Sequence, residues 1–146
     1  MSLKNWLNNG WLKTHSTSSQ EITNLIGLAE RDILESTTSG LSPDWKLTIA
    51  YNAALQTATA ALAATGYRAT RESHHFRIIQ SLEYTIGADK ELIILFDNFR
   101  KKRNISGYDR SGTISMQEAN EMKDLAEYLY RITKEWLEKN HPSLLK

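Results

Sequence analysis

The chain contains no cysteine, no valine and only two prolines among its 146 residues. Without cysteine it has no disulfide, no thiolate metal ligand and no cysteine nucleophile. Strands are rich in β-branched side chains and all-β domains need many turn residues, so these shortages exclude an all-β fold. An excess of one charge is also missing, because 18 basic and 17 acidic residues leave a net charge of +1. That balance excludes a uniformly basic nucleic-acid coat protein.

The longest uncharged stretch spans residues 47–67. Most of its apolar residues are alanines, and polar side chains interrupt them, so it is too polar for a membrane span of about 20 residues. The first residues also lack the apolar core of about 7–15 residues that a signal peptide has. We therefore expect a cytoplasmic protein without membrane association, in which 47–67 is a buried helix. Its alanines, eight of them between positions 50 and 64, predict close approach of a neighbouring backbone.

Helical periodicity appears in five segments, which begin at residues 18, 42, 73, 89 and 115. Apolar residues recur in them every three or four positions, and Ser18 and Ser115 are each followed three residues later by a glutamate, as in a capping box. The connections are short, which favours antiparallel neighbours. We predict an all-α fold, an up-and-down bundle of four to five helices over residues 18–141. An N-terminal arm (1–17) and a C-terminal tail (142–146) complete the chain.

Positive charge is concentrated between Arg100 and Arg110. Five of these eleven residues are basic and one is acidic, so the segment carries +4 and the other 135 residues together carry −3. Arg103 follows Phe99 by four positions and so continues the apolar stripe of its helix. A cation on that side needs an anion, either a carboxylate or a bound phosphate. The alternative is that basic residues simply stabilise the helix end, each by about 0.3–1 kcal/mol.

The loop after this helix has the pattern Arg103-Asn104-x-x-x-Tyr108-Asp109. It resembles the signature loop of HEPN domains, the all-α bundles of prokaryotic toxin–antitoxin, phage-defence and nucleotidyltransferase-associated systems. The order of three further segments, 50–54, 66–68 and 73–75, is also similar to that of bacterial members. The resemblance covers most of the chain and implies a HEPN-like bundle.

In active HEPN proteins an arginine and a polar residue are followed by a histidine that moves protons during metal-independent RNA cleavage. Arg103 and Asn104 match the first two places, and Tyr108 stands where the histidine would be. A tyrosine, with an ordinary pKa of about 10, is a poor general base near pH 7. The resemblance therefore implies a protein that binds RNA or nucleotide phosphate through Arg103 and Asn104. With Tyr108 in place of the histidine, we do not expect efficient RNA cleavage. The basic residues proposed to contact phosphate are Arg100, Lys101, Lys102, Arg103 and Arg110.

His74 and His75 could supply an imidazole from another helix, and Asp109 is a further accessory residue. We expect His75 to face the core and His74 to cap the helix or contact solvent. The four histidines lack the spacing of a metal site, and no cofactor-binding motif is present. The sequence thus predicts no metal and no cofactor.

Partners follow from the resemblance alone. It implies a homodimer whose two basic loops face each other, and a nucleotidyltransferase-type antitoxin as a second partner, for which Tyr108 would be a target of adenylylation. Two other functions remain open: a non-catalytic helical interaction or regulatory subunit, and an atypical metal-independent ribonuclease.

Overall fold

Six α-helices and one short β-ribbon form the part of the protein that the computed structural model describes, residues 1–106 and 113–146. The helices are α1 (Leu3–Asn8), α2 (Ser19–Glu35), α3 (Pro43–Ala64), α4 (His74–Ser81), α5 (Lys90–Ser106) and α6 (Met116–Asn140). The strands are β1 (Leu12–Thr14) and β2 (Tyr67–Ala69), and a 3₁₀ helix covers Pro142–Leu145. The expectation of a helical bundle is confirmed, and α1 and the ribbon are additions that periodicity did not reveal.

Both predicted capping boxes lie at helix starts, but only one of them is complete. At α6 the Ser115 hydroxyl accepts the Glu118 N–H at 3.0 Å, and the Glu118 carboxylate accepts the Ser115 N–H at 3.1 Å. At α2 the Ser18 hydroxyl accepts the Glu21 N–H at 3.1 Å, whereas the Glu21 carboxylate bonds His15 at 2.7 Å instead. Glu21 thus ties the N-terminal residues to the bundle.

Helix α3 lies at the centre of the bundle, between α2 and α6. Six of its alanines have no solvent-exposed surface, and neither does Tyr51 or Leu47. Burial on nearly every side explains why the helix carries no charge after Lys46, since an unpaired charge there would be costly. The close approach that the alanines predict is therefore realised on both flanks of α3.

The N-terminal residues pack onto the bundle through α1 and β1. Trp6 and Leu12 are only 5% and 2% exposed and belong to the main core. β1 pairs antiparallel with β2, with Leu12 opposite Ala69. At the other end of the chain, the 3₁₀ helix packs against α2 and α6. Residues outside the predicted bundle therefore contribute to its packing.

Across the two described ranges, every helix is too short or too polar to cross a membrane.

The close packing of α3 predicts that enlarging a buried alanine destabilises the protein. Ala58→Leu adds three carbon atoms at a position with no exposed surface, and we expect a loss of about 1–3 kcal/mol in the free energy of unfolding. Urea denaturation followed by circular dichroism measures it. The matched control is Ala64→Leu at the partly exposed end of the same helix, which should cost clearly less. Equal losses in both variants would contradict the proposed packing.

Candidate functional site

A cavity of about 480 Å³ lies between the first turn of α4 and the C-terminal half of α5. Four of the residues singled out in the sequence meet there, although 25 positions or more separate the two pairs. The side chains that line it are Ser73, His74, His75, Phe76, Arg100 and Asn104. The tertiary structure thus brings both histidines to two members of the basic segment.

The start of α4 has an unusual backbone conformation. Ser73 has φ +53°, in the left-handed region that non-glycine residues rarely adopt, and its side chain does not cap the helix. The N–H groups of a first helical turn have no partners within the helix and carry a partial positive charge. Because residues 73–76 line the cavity, these groups favour an anion in it.

α4 is held in place by the N-terminal residues. The Arg77 guanidinium lies 3.7 Å from the centre of the Trp11 ring, a cation–π contact, and 5.6 Å from that of Trp6. The Thr70 hydroxyl donates to the Trp11 carbonyl at 3.1 Å, just before α4 begins. Residues 1–17, predicted as an N-terminal arm, therefore position one wall of the cavity.

His75 is anchored to the core by Tyr51 of α3, whose hydroxyl lies 3.2 Å from His75 Nδ1. Burial raises the pKa of Tyr51 to about 12, against the opposing effect of Arg103 and Arg100, so the hydroxyl keeps its proton at pH 7. Burial, followed by Arg103, His74 and Arg100, lowers the pKa of His75 below its ordinary value of 6.5. His75 is therefore neutral at pH 7. If Tyr51 donates to Nδ1, the ring proton of His75 is on Nε2.

His74 makes a different hydrogen bond, with its Nδ1 3.1 Å from the Thr70 carbonyl oxygen. A carbonyl can only accept, so Nδ1 carries a proton, and Nε2 is the nitrogen that this hydrogen bond leaves unused. The rings of His74 and His75 have their centres 6.0 Å apart. The hydrogen bonds thus leave Nε2 of both rings directed away from these partners, available for contact with a ligand.

The two arginines of α5 take separate positions. Arg103 is half-buried, with its guanidinium 5.4 Å from the centre of the Tyr51 ring, on the side of the helix that the apolar stripe predicts. Arg100 lines the cavity, 5.6 Å from the centre of the Phe76 ring. It also donates to the buried Asp97 carboxylate at 2.6 Å. Asp97 therefore offsets part of the positive charge of Arg100.

The other predicted residues lie outside the cavity or outside the described residues. Lys101 is largely exposed, with its Nζ 3.6 Å from Asp97, and Lys102 forms an ion pair with Glu118 on α6. Tyr108, Asp109 and Arg110 fall in 107–112, beyond the ranges that the structure describes. Within those ranges, no three histidine, aspartate or glutamate side chains cluster as metal ligands would.

Three residues of the site were missed in the sequence analysis: Tyr51, Phe76 and Asp97. Asp97 had a signal, because it precedes Arg100 and Lys101 by three and four positions, the spacing of helical ion pairs. Tyr51 had none, since it fits the apolar stripe of its helix, and Phe76 was assigned no role. Their role depends on contacts between different helices.

No protein-family model matches the chain, and no curated protein or solved structure shows significant similarity to it.

The lowered pKa of His75 predicts a pH dependence of stability. The unfolded chain binds a proton at this residue near pH 6.5, whereas the folded chain binds it only at lower pH. The free energy of unfolding should therefore fall as the pH drops below about 6.5, and His75→Gln should reduce that slope. Histidine ring NMR measures the pKa directly. Arg103→Gln removes a neighbouring positive charge and should raise it. A His75 pKa at or above 6.5 in the native protein would contradict the described contacts.

Proposed function

We propose that the cavity between α4 and α5 binds the phosphate of an RNA or of a nucleotide. The observation that carries this proposal is the convergence of four kinds of group on one cavity: a guanidinium, two imidazoles, a side-chain amide and an aromatic ring. Each of them is common in sites for phosphate and bases, and here they belong to two helices that the core holds in place.

Phosphate has three donors within the cavity. Arg100 can present a planar pair of N–H groups, which matches two phosphate oxygens, and Asn104 can donate from its amide. The first turn of α4 adds backbone N–H groups and the positive end of a helix dipole. Arg103, close to Tyr51 and His75, adds positive potential behind them. A bound phosphate would compensate the part of the positive charge of Arg100 that Asp97 does not offset.

A nucleobase has a partner in Phe76, which lines the same cavity. Bases of single-stranded RNA commonly stack on aromatic rings, and such stacking contributes about 1–3 kcal/mol per base. Arg100 lies next to that ring, so a base and its phosphate could be held side by side. This pairing favours a nucleotide or RNA over inorganic phosphate.

The proposed phosphate site predicts that RNA affinity falls when Arg100 or Arg103 is substituted. We expect Arg103→Gln and Arg100→Gln each to weaken binding of a labelled single-stranded RNA by about 10- to 100-fold. The change at Arg100 removes a charged hydrogen-bond donor, and the change at Arg103 removes positive electrostatic potential near the phosphate. A lost phosphate contact should also lower the slope of log K against log salt by about 0.7. Fluorescence anisotropy between about 50 mM and about 200 mM salt measures both quantities.

The matched control is Arg131→Gln, which removes the same charge from an exposed position on α6. It should leave binding almost unchanged, and circular dichroism should show all three variants folded. Binding that survives both arginine substitutions would contradict the proposed site. No binding at about 50 mM salt would contradict the function and favour a non-catalytic interaction subunit.

A second candidate function, metal-independent RNA cleavage, is favoured by the two histidine rings. His74 Nε2 can take the proton of a ribose 2′-hydroxyl, whose oxygen then attacks the adjacent phosphorus. The P–O5′ bond breaks, and His75 Nε2–H gives its proton to the departing oxygen, which leaves a 2′,3′-cyclic phosphate. Arg100 would stabilise the charge that builds up on the phosphate oxygens. This assignment needs no contribution from Tyr108 as a base.

If cleavage occurs, it should depend on both histidines and on the 2′-hydroxyl. We expect His74→Gln and His75→Gln each to lower the rate by about 10²- to 10⁴-fold in the presence of a chelator, while Tyr108→Phe keeps activity. Gel analysis of end-labelled RNA, with a 2′-deoxy analogue as the uncut substrate, measures it. His141→Gln is the control, since that ring packs on Trp136 at the far end of α6. Cleavage retained in both cavity variants would exclude the histidine pair.

The biological setting of this proposal rests on the HEPN resemblance. From it we propose a HEPN-like fold, a place in a toxin–antitoxin or defence module in the cytoplasm, and a nucleotidyltransferase-type partner that could modify Tyr108. The same resemblance leads us to propose a homodimer.

A further inference from the structure

A second concave surface, which we call the α5–α6 trough, lies on another side of α5. It consists of two adjoining hollows of about 540 and 320 Å³ that share Leu95 and Glu121. At 3.6 residues per turn, Leu95 lies roughly 140–180° around α5 from Arg100 and Asn104, which line the cavity. The trough is therefore separate from the proposed phosphate site.

Apolar side chains form the middle of the trough. Leu92, Leu95, Leu125 and Tyr128 line the larger hollow. Leu95 and Tyr128 are 42% and 46% exposed, and the neighbouring Ile94 is 59% exposed. Two of the eight exposed large apolar side chains in the described ranges thus line one hollow, Leu95 and Tyr128. Such clustering is typical of an interaction surface.

The charges of the trough are unevenly distributed between its two hollows. The larger hollow is lined by four carboxylates and no basic residue, namely Asp89, Glu91, Glu121 and Asp124. The smaller hollow is lined by both basic residues of the trough, Lys101 and Lys102, and shares Glu121 with the larger one. Glu91 and Lys101 are ten residues apart on α5, about 15 Å along its axis, with Leu95 near the midpoint. One face thus carries an acidic end, an apolar centre and a basic end.

We infer that the trough binds the trough of a second copy of this chain, with the two α5 helices antiparallel. A two-fold axis near Leu95 places Lys101 of each copy against the acidic end of the other and brings the apolar centres together. Two-fold interfaces require such a self-complementary surface. Charge complementarity selects this occupant, because a copy of the chain supplies both signs at the required spacing. A purely basic partner would match only half of the trough.

This inference rests on the proposed homodimer and names the face through which it forms. Because Arg100 and Asn104 lie on another side of α5, each cavity would be complete within one chain. The arrangement differs from that implied by the HEPN resemblance, in which two basic loops face each other.

Charge reversal tests the interface without RNA. We expect Lys101→Glu/Lys102→Glu and Glu91→Lys/Glu121→Lys each to raise the dimer dissociation constant at least tenfold, while an equimolar mixture of the two variants forms a heterodimer. Sedimentation velocity from about 1 μM to about 1 mM measures this equilibrium. Lys4→Glu/Lys139→Glu, at two exposed positions outside the trough, is the matched control and should dimerise like the unmodified chain.

Recovery in the mixture is the decisive outcome, because a folding defect in either variant cannot produce it. Leu95→Glu, a change at a partly exposed position that lines both hollows, should also weaken the dimer. A native protein that stays monomeric would overturn both the homodimer and this interface. A dimer that both reversals leave unchanged would overturn only the interface. Neither result affects the RNA-binding measurement, whose variants are at Arg100 and Arg103, outside the trough.

Discussion

Close packing of α3 between α2 and α6 is the interaction on which the rest of the structure depends. Alanine side chains let the flanking helices approach, and the absence of charge from Leu47 to Ala64 allows the burial of the helix. The flanking helices then need only one apolar face each, and they keep their charges outside. The composition of one helix therefore determines how the others are arranged.

Tyr51 connects this core to the candidate site. Its ring packs against Phe96 of α5 at 5.7 Å between centres, and its hydroxyl meets His75 of α4. Arg103 lies over the same ring. A fully buried side chain has little freedom to move, so it holds its polar neighbours in a defined geometry. The functional groups are thus positioned by the core and not by a loop alone.

The near-neutral net charge conceals strong local charges on α5. The residues toward its C-terminal end bring Arg100 and Asn104 to the cavity, whereas Lys101 and Lys102 point elsewhere and pair with carboxylates. Adjacent helical residues differ by about 100° in direction, so the consecutive basic residues of a run cannot all line the same site. Here Arg100 lines the cavity, and Lys101 and Lys102 lie on a neighbouring surface. In the present chain the two surfaces suggest two kinds of partner: RNA or a nucleotide at the cavity, and a second copy of the chain at the α5–α6 trough.

Much of the bundle could be predicted from periodicity and caps. Ser42 with Pro43, and Ser115 with Glu118, begin helices as expected, because capping depends on residues three positions apart. The short ribbon was not predictable, because β1 and β2 have three residues each and pair across more than 50 positions of sequence. The way the N-terminal residues hold α4 escaped prediction for the same reason.

The sequence by itself determined the helical class, the helix starts and the concentration of basic residues near position 100. These properties depend on composition and on neighbours within one helical turn. Only the tertiary structure decided that His74 and His75 share a cavity with Arg100 and Asn104, that Tyr51 supports His75, and that Asp97 offsets one arginine. Contacts between α3, α4 and α5 produce these relations, and the direction of a side chain across such contacts is set by packing, which periodicity does not encode.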